Sequence, residues 1–362
     1  MAHRNDGIGE EGELFATHIG GSALPEGVMM RGKLSWAAAV REPSGRIYVE
    51  EHELSAPDSR PAWQRLSIVR GCVSFVESML LSYKAMCVAS DHAYDDEGET
   101  YASLLTAGRV SPVAAGETRA VAEDGGEPAG TDDASASSPE PMSSVAFGLS
   151  MALGLLLGIA LFMAIPVAVA NLLVGDYAPT NAIAWNLVEA VLRIAIFVAY
   201  IWAIGLMPDM RRLFGYHGAE HLTIHCFEHG LELTPANAAR FSRLHVRCGT
   251  AFLIMTMIVA ILVNTLVPVA SWAEALGLAG VGRAAFVLAS RLVLLPLVVG
   301  VSYEVTVKWA GSHPNLWLVR LVLWPGLQMQ RLTTRVPDEG MLECAIAAME
   351  RVRATELAAG LE

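Results

Sequence analysis

From residue 145 onward the apolar positions of this chain stop alternating with polar ones and run together. Four stretches, 145–174, 182–207, 250–272 and 284–308, reach the roughly 20 residues that a helix needs to cross the hydrocarbon of a bilayer. Each carries few charges, and those at depth are costly unless they face the inside of a helix bundle. Glu189 and Arg193 stand one turn apart in the second stretch and predict a structural ion pair. Arg291 and Glu304 fall in the fourth, and Glu304, near its end, is a candidate ligand for a site outside the membrane.

The pattern before residue 145 differs in period. Residues 35–41 and 46–53 flank Glu42-Pro43-Ser44-Gly45, and Ile47 and Val49 alternate with polar neighbours, which reads as strand, turn and strand. A lone hairpin is marginal in water, so residues 16–65 predict a small β-containing module that packs on something else. Over 66–89 the apolar positions Ile68, Val69, Cys72, Phe75, Val76, Met79, Leu80 and Tyr83 recur at helical spacing, interrupted by Arg70, Glu77 and Lys84. That is an amphipathic helix, either lying in the membrane interface or covering the hairpin. Residues 1–15 and 90–144 are too poor in apolar side chains to offset their ordering entropy and predict disorder. The first fifteen also lack the apolar core of a secretory signal peptide, so the N-terminus is expected to stay on the side where it is made.

After the last long run, residues 316–329 are apolar but short, and Trp324-Pro325-Gly326 interrupts them. This predicts a re-entrant or interfacial segment. Pro337-Asp338 then opens a closing amphipathic helix over 341–357 with a packing role. The fold class expected is mainly α and polytopic. It has about four transmembrane helices, a re-entrant or interfacial segment and a small N-terminal β-containing cytosolic module.

Composition agrees: 53% of the 362 residues are apolar and only 17% charged, which excludes an ordinary soluble domain. The net charge of -12 is local, because Asp91 to Glu140 holds twelve acidic residues against Arg109 and Arg119. The remainder is nearly neutral and offers no basic footprint for nucleic acid. Lysine and arginine concentrate between the second and third runs (Arg211, Arg212, Arg240, Arg243, Arg247) and after the fourth (Lys308, Arg320, Arg331, Arg335, Arg351, Arg353). The positive-inside rule places those segments and both termini in the cytoplasm. Five scattered cysteines read as thiols or metal ligands, not as a disulfide framework.

The chemistry concentrates in one stretch, residues 215–229, which holds four of ten histidines, Glu220, Cys226 and Glu228. On a helix His217 and His221 share one face, with Glu220 beside them and His225 one turn on. This is the H-x-x-E-H spacing in which two histidines hold zinc and the glutamate activates water. A third ligand from His245, Cys248, Glu228 or Glu304 would leave a position open for catalysis. Cys226, His245 and Cys248 together would instead close a structural site. Thr234-Pro235 predicts a second helix running towards Leu244, making 208–249 a helical hairpin. The glycine-rich residues 19–32 could form an anion-cradling turn, although no P-loop lysine follows.

Four motifs, Pro-Glu-Gly-Val-Met-Met-Arg-Gly (25–32), His-Gly-Ala-Glu-His (217–221), Leu-His-x-Arg-Cys-Gly-Thr (244–250) and Pro-Gly-x-x-x-Gln-Arg-Leu-Thr-Thr-Arg-x-Pro-Asp (325–338), resemble in order those of the YqhQ family. This is a family of bacterial multi-pass membrane proteins described as predicted metal-dependent enzymes of unknown function. The resemblance implies a bacterial inner-membrane protein and agrees with a metal at His217, Glu220 and His221. The family's Gly-Gly-Gln-Ala-Val stands here as Gly20-Gly21-Ser22-Ala23-Leu24.

The function expected is a cytoplasm-facing metal-dependent enzyme, a hydrolase. Glu220 is its catalytic residue, the metal ligands come from His217, His221, His245, Cys248 and Glu304, and zinc is the preferred divalent ion. The alternative is a membrane scaffold or assembly factor with a structural metal site or none. A transporter is disfavoured by four spans and no internal repeat. Expected partners are the lipid bilayer, a membrane-proximal substrate and a second copy in a homo-oligomer, with no nucleic acid.

Overall fold

A computed structural model describes residues 17–54, 61–95, 97–110, 121–123, 153–154, 156–245, 248–310 and 316–361. The expected disorder of 1–15, most of the acidic stretch and the start of the first long run lie outside these residues.

The N-terminal module is an antiparallel meander of four strands, β1 Gly20–Leu24, β2 Gly27–Arg31, β3 Ser35–Arg41 and β4 Ile47–Glu53. A short β5, Val121–Glu123, adds parallel to β4 from within the acidic stretch. The first hairpin is additional to the one predicted. Its turn, Pro25-Glu26, is too short to signal itself by periodicity, and Glu26 adopts φ 51° there. Glu26 fills the turn and pairs with both ends of the Arg212 guanidinium at 2.6 Å. The glycine-rich segment is therefore a strand pair closed by its own carboxylate, not an anion cradle.

The sheet is covered on both faces, because successive side chains of a strand point opposite ways. Leu24, Met29, Trp36, Ala38 and Val40 pack on Leu81, Ala85, Val88 and Ala89 of helix α1, Val69–His92. Val28, Met30, Ala37, Ala39, Ile47 and Val49 pack on two other helices, α5 Pro208–Glu228 and α11 Glu339–Ala358. The Asp338 carboxylate caps α11 by accepting from Met341 N at 2.9 Å. The result is a three-layer body with α5 held in its core.

Five helices are long and apolar enough to cross a membrane: α1, α3 Leu156–Val174, α4 Ala182–Ile204, α7 Gly249–Leu266 and α9 Gly280–Trp309. Helix α2, Tyr101–Thr106, is a single short piece before α3. The protein is a multi-pass membrane protein, mainly helical. Side chains such as Leu172, Leu266 and Val281 stand at least four-fifths exposed, as bilayer-facing positions do. Helix α1 is one more than the four expected, since its three interrupting charges still leave a window of sufficient hydropathy. Its last half covers the sheet while its first half meets α9, where Gly71 lies against Tyr303 and Cys72 Sγ against Pro296 O at 3.1 Å.

Inside the spans Glu189 pairs with Arg193 and also takes Arg291 at 2.6 Å. Arg193 donates further to Phe162 O at 3.1 Å, in the π-helical turn Ala160–Ala164. A short helix α8, Val269–Ala275, follows α7. The predicted break at Trp324-Pro325-Gly326 does not occur: α10 is continuous over Trp317–Thr333 with Pro325 inside it. Packing along α7 holds the helix through the one ladder bond that proline lacks. Seventeen residues still make only about 25 Å, short of the hydrocarbon thickness.

Candidate metal centre

Helix α5 begins with Pro208 in its first turn and runs unbroken through His217, His221 and His225 to Glu228. Most of its second half is buried although its sequence is polar. What makes that burial tolerable is visible in the partners. The His217 Nδ1 faces Thr333 O at 2.9 Å, His221 Nδ1 faces Arg243 O at 2.5 Å, and His225 Nε2 faces Leu244 O at 3.0 Å. A carbonyl only accepts, so each of these nitrogens carries a proton, and it is the other nitrogen of each ring whose lone pair can ligate once any proton on it has left. Fixing a ring by donating its far N–H to a backbone carbonyl is the arrangement that orients metal-binding histidines.

Those lone pairs converge. The ligand atoms of His217, His221 and Cys248 lie within 4.8 Å of one another, and His217 Nε2 is 3.2 Å from Cys248 Sγ. The His221 Nε2 is buried and has no hydrogen-bond partner. A buried polar atom without a partner costs about 1–3 kcal/mol, so the His221 Nε2 is an acceptor that an ion or donor reaching it would satisfy. Cys248 is also the N-cap of α7, its sulfur accepting from Thr250 N at 3.4 Å.

The electrostatics of the metal-free pair follow. Burial opposes ionisation of Cys248, but His221 and His217 outweigh it and hold the thiol well below its ordinary value. Burial likewise opposes protonation of His217, and the Cys248 thiolate outweighs that, lifting the imidazole to about 9. Glu220 is buried between β1 and the two histidines. Burial raises its carboxyl pKa, against the pull of His217 and His221 and a hydrogen bond from the Gly21 backbone.

A second group, His225, Glu228 and His245, also brings its ligand atoms within 4.8 Å. Here Glu228 accepts from Thr17 N at 2.8 Å and lies 3.6 Å from His245 Nε2. Burial, with His245 nearby, pushes His225 down to about 3. The His221 and His245 rings are 5.6 Å apart, so the two groups adjoin. His245 thus belongs with His225 and Glu228, not with His217 and Cys248. Glu304 joins neither group: it forms a two-pronged pair with Arg70, Nε to Oε1 at 2.7 Å.

The second arm of the predicted hairpin is shorter than expected. Thr234 Oγ1 caps helix α6 at 3.2 Å, but α6 covers only Pro235–Ala238. The described residues from 239 to 245 and Cys248 are not helical. A run of turns and bends in place of helix is what lets Arg243 and Leu244 turn their carbonyls to the histidines, a role no side-chain motif announces. Gln330 fixes the same segment by exchanging two bonds with the His245 backbone, 2.8 and 2.7 Å. Gly218 packs so tightly on Arg335 O that an added Cβ would sit 2.0 Å from it.

A model of a family of proteins of unknown function, DUF1385, matches residues 66–355. The chain belongs to the DUF1385 family. The uncharacterized protein YqhQ of Bacillus subtilis (strain 168) is 27% identical over 338 residues, covering 92% of this chain and 91% of that protein. No solved structure matches. The motifs that carry the YqhQ resemblance all meet at α5: Glu26 on Arg212, Leu244 O on His225, Cys248 on His217 and Thr333 O on His217.

Proposed function

We propose that this DUF1385 protein is a metal-dependent membrane hydrolase whose ion is held by His217 Nε2, His221 Nε2 and Cys248 Sγ. The observation that carries the reading is the unpartnered, buried His221 Nε2 aimed at a thiol and a second oriented imidazole. Two nitrogens and a sulfur suit zinc, and three protein ligands leave one position open. A bound divalent ion there supplies Lewis acidity and makes water nucleophilic at neutral pH. Glu220, kept from ionising freely by burial, exchanges a proton with water or leaving group, while Thr333 and Arg243 hold the imidazoles in the ligating tautomer. The segments rich in arginine around α5 and after α9 support a placement in the bacterial inner membrane with the site and both termini in the cytoplasm.

Elemental analysis of the purified protein tests the reading. About one ion per chain is expected, lost in His217→Ala/His221→Ala and kept in Glu220→Gln, which abolishes hydrolysis. Wild-type protein without metal after anaerobic purification and reconstitution overturns it. The 3.2 Å contact of Cys248 with His217 supports a second reading in that event, a thiolate–imidazolium pair acting as a covalent nucleophile.

A further inference from the structure

A pocket of about 370 Å³ opens beside the metal centre, between α1, α7 and α9. Its walls are three of the helices long and apolar enough to cross a membrane, and with those helices in a bilayer the pocket would face hydrocarbon. Phe75, Phe252, Leu253 and Val307 supply its apolar lining. Ser74, Ser78 and Cys248 line it as well, and Ser78 Oγ accepts from the Arg31 guanidinium at 3.4 Å. Cys248 is therefore shared: its sulfur faces His217 and it forms part of the pocket wall. The volume lies in the range of small-molecule sites, which combine an apolar lining with a few placed polar groups.

We propose that this pocket takes one acyl chain of a bilayer phospholipid and brings the polar end of that molecule to Cys248 and the metal centre. A hydrocarbon chain fits a lining of phenylalanine, leucine and valine beside membrane-type helices. The head would meet the hydroxyls of Ser74 and Ser78 and the Arg31 guanidinium, which comes from the motif of residues 25–32. Chain binding stands on the pocket alone; that the bound lipid is the substrate rests on the hydrolase reading. Hydrolysis there breaks the bond between chain-bearing group and head, placing water's hydroxyl on the acyl or phosphoryl centre and its proton on the departing oxygen.

The test uses the full-length protein in nanodiscs doped with a phospholipid carrying a diazirine on one acyl chain. Photolabelling is expected on the Ser74–Ser78 and Phe252–Leu253 segments, lowered roughly tenfold by filling the pocket with Ser74→Phe/Ser78→Trp. Metal content stays at the wild-type value in that variant. His217→Ala/His221→Ala gives the converse, lost metal with labelling retained, so failure of the pocket and failure of the metal reading are told apart. Val307→Trp, on an exposed helix position, gives a second blocked variant should the first not fold. Labelling at the wild-type level in both filled variants, or labelling competed by free fatty acid or by a hydrophobic helical peptide better than by phospholipid, overturns the proposal.

Discussion

At the scale of single residues the centre is a question of which nitrogen carries a proton. His221 and His217 hold the Cys248 thiol well below its ordinary value, and Cys248 in turn lifts the His217 imidazole to about 9. A metal needs the His217 lone pair, so binding near pH 7 releases about one proton from that ring. The sign follows: protons compete with the ion below the His217 value, and apparent affinity climbs about tenfold per pH unit from 7 towards 9, then levels. Calorimetry of zinc binding in buffers of different ionisation enthalpy reads the released proton directly, and a pH-independent affinity contradicts the thiolate–imidazolium pair. Gly21 gives a second residue-scale expectation. An added Cβ would lie 2.6 Å from Met29 O and 2.9 Å from Glu220 Cγ. Gly21→Ala should therefore cost about 1–3 kcal/mol by overpacking and displace Glu220, seen as a lower Tm with metal content kept. His217, Glu220, His221 and Cys248 were all legible as a chemical set in the sequence. Their oriented tautomers were not, because the groups that set them are backbone carbonyls.

Elements decide what spacing leaves open. The sequence pattern finds α5 and its i, i+4 histidines, but whether Cys248, His245 or Glu304 completes the set depends on where other elements end. Helix α7 starts at Gly249 and puts Cys248 at its N-cap beside His217. The π-helical turn Glu304–Trp309 and the start of α1 instead bind Glu304 to Arg70. Helix α10 is the strut of the site: its Gln330 holds the His245 backbone, and its last residue, Thr333, holds the His217 ring. Reading Pro325 as a break hides this, since it leaves 330–333 without an assigned helix to set Gln330 and Thr333 one turn apart on one face. Gln330→Ala leaves a buried N–H and C=O of His245 without partners, a loss of about 1–3 kcal/mol. Limited proteolysis should then cut between residues 239 and 248 faster than in wild type while circular dichroism stays unchanged; equal rates would remove the strut role.

For the whole molecule the open issue is how five membrane-length helices are threaded, and packing constrains it more than hydropathy does. Leu81, Ala85, Val88 and Ala89 of α1 are committed to one face of the sheet, whose other face rests on α5 and α11. Only residues 69–80 of α1 remain for the membrane, about 18 Å of helix against the roughly 30 Å of hydrocarbon. The expectation is therefore that α1 dips towards Pro296 of α9 and does not cross, despite meeting the criterion of length and apolarity. Charge agrees, because arginines lie in and after α5 and follow α9, whereas the connections at 175–181 and 273–283 carry Arg283 alone. Single-cysteine reporters in a cysteine-free background distinguish the threadings. Probes at Ser44, before α1, and at Ser90 and Asp209 should all share one side, and those at Asp176 and Gly277 the other, when labelled with a membrane-impermeant maleimide in right-side-out and inverted vesicles. A probe at Ser44 that labels with Asp176 while Ser90 labels with Asp209 would mean that α1 crosses. The three-layer body holding α5 would then have to lie on both sides of the bilayer at once, and the packing of α1 on the sheet would be the part of the structure to give way.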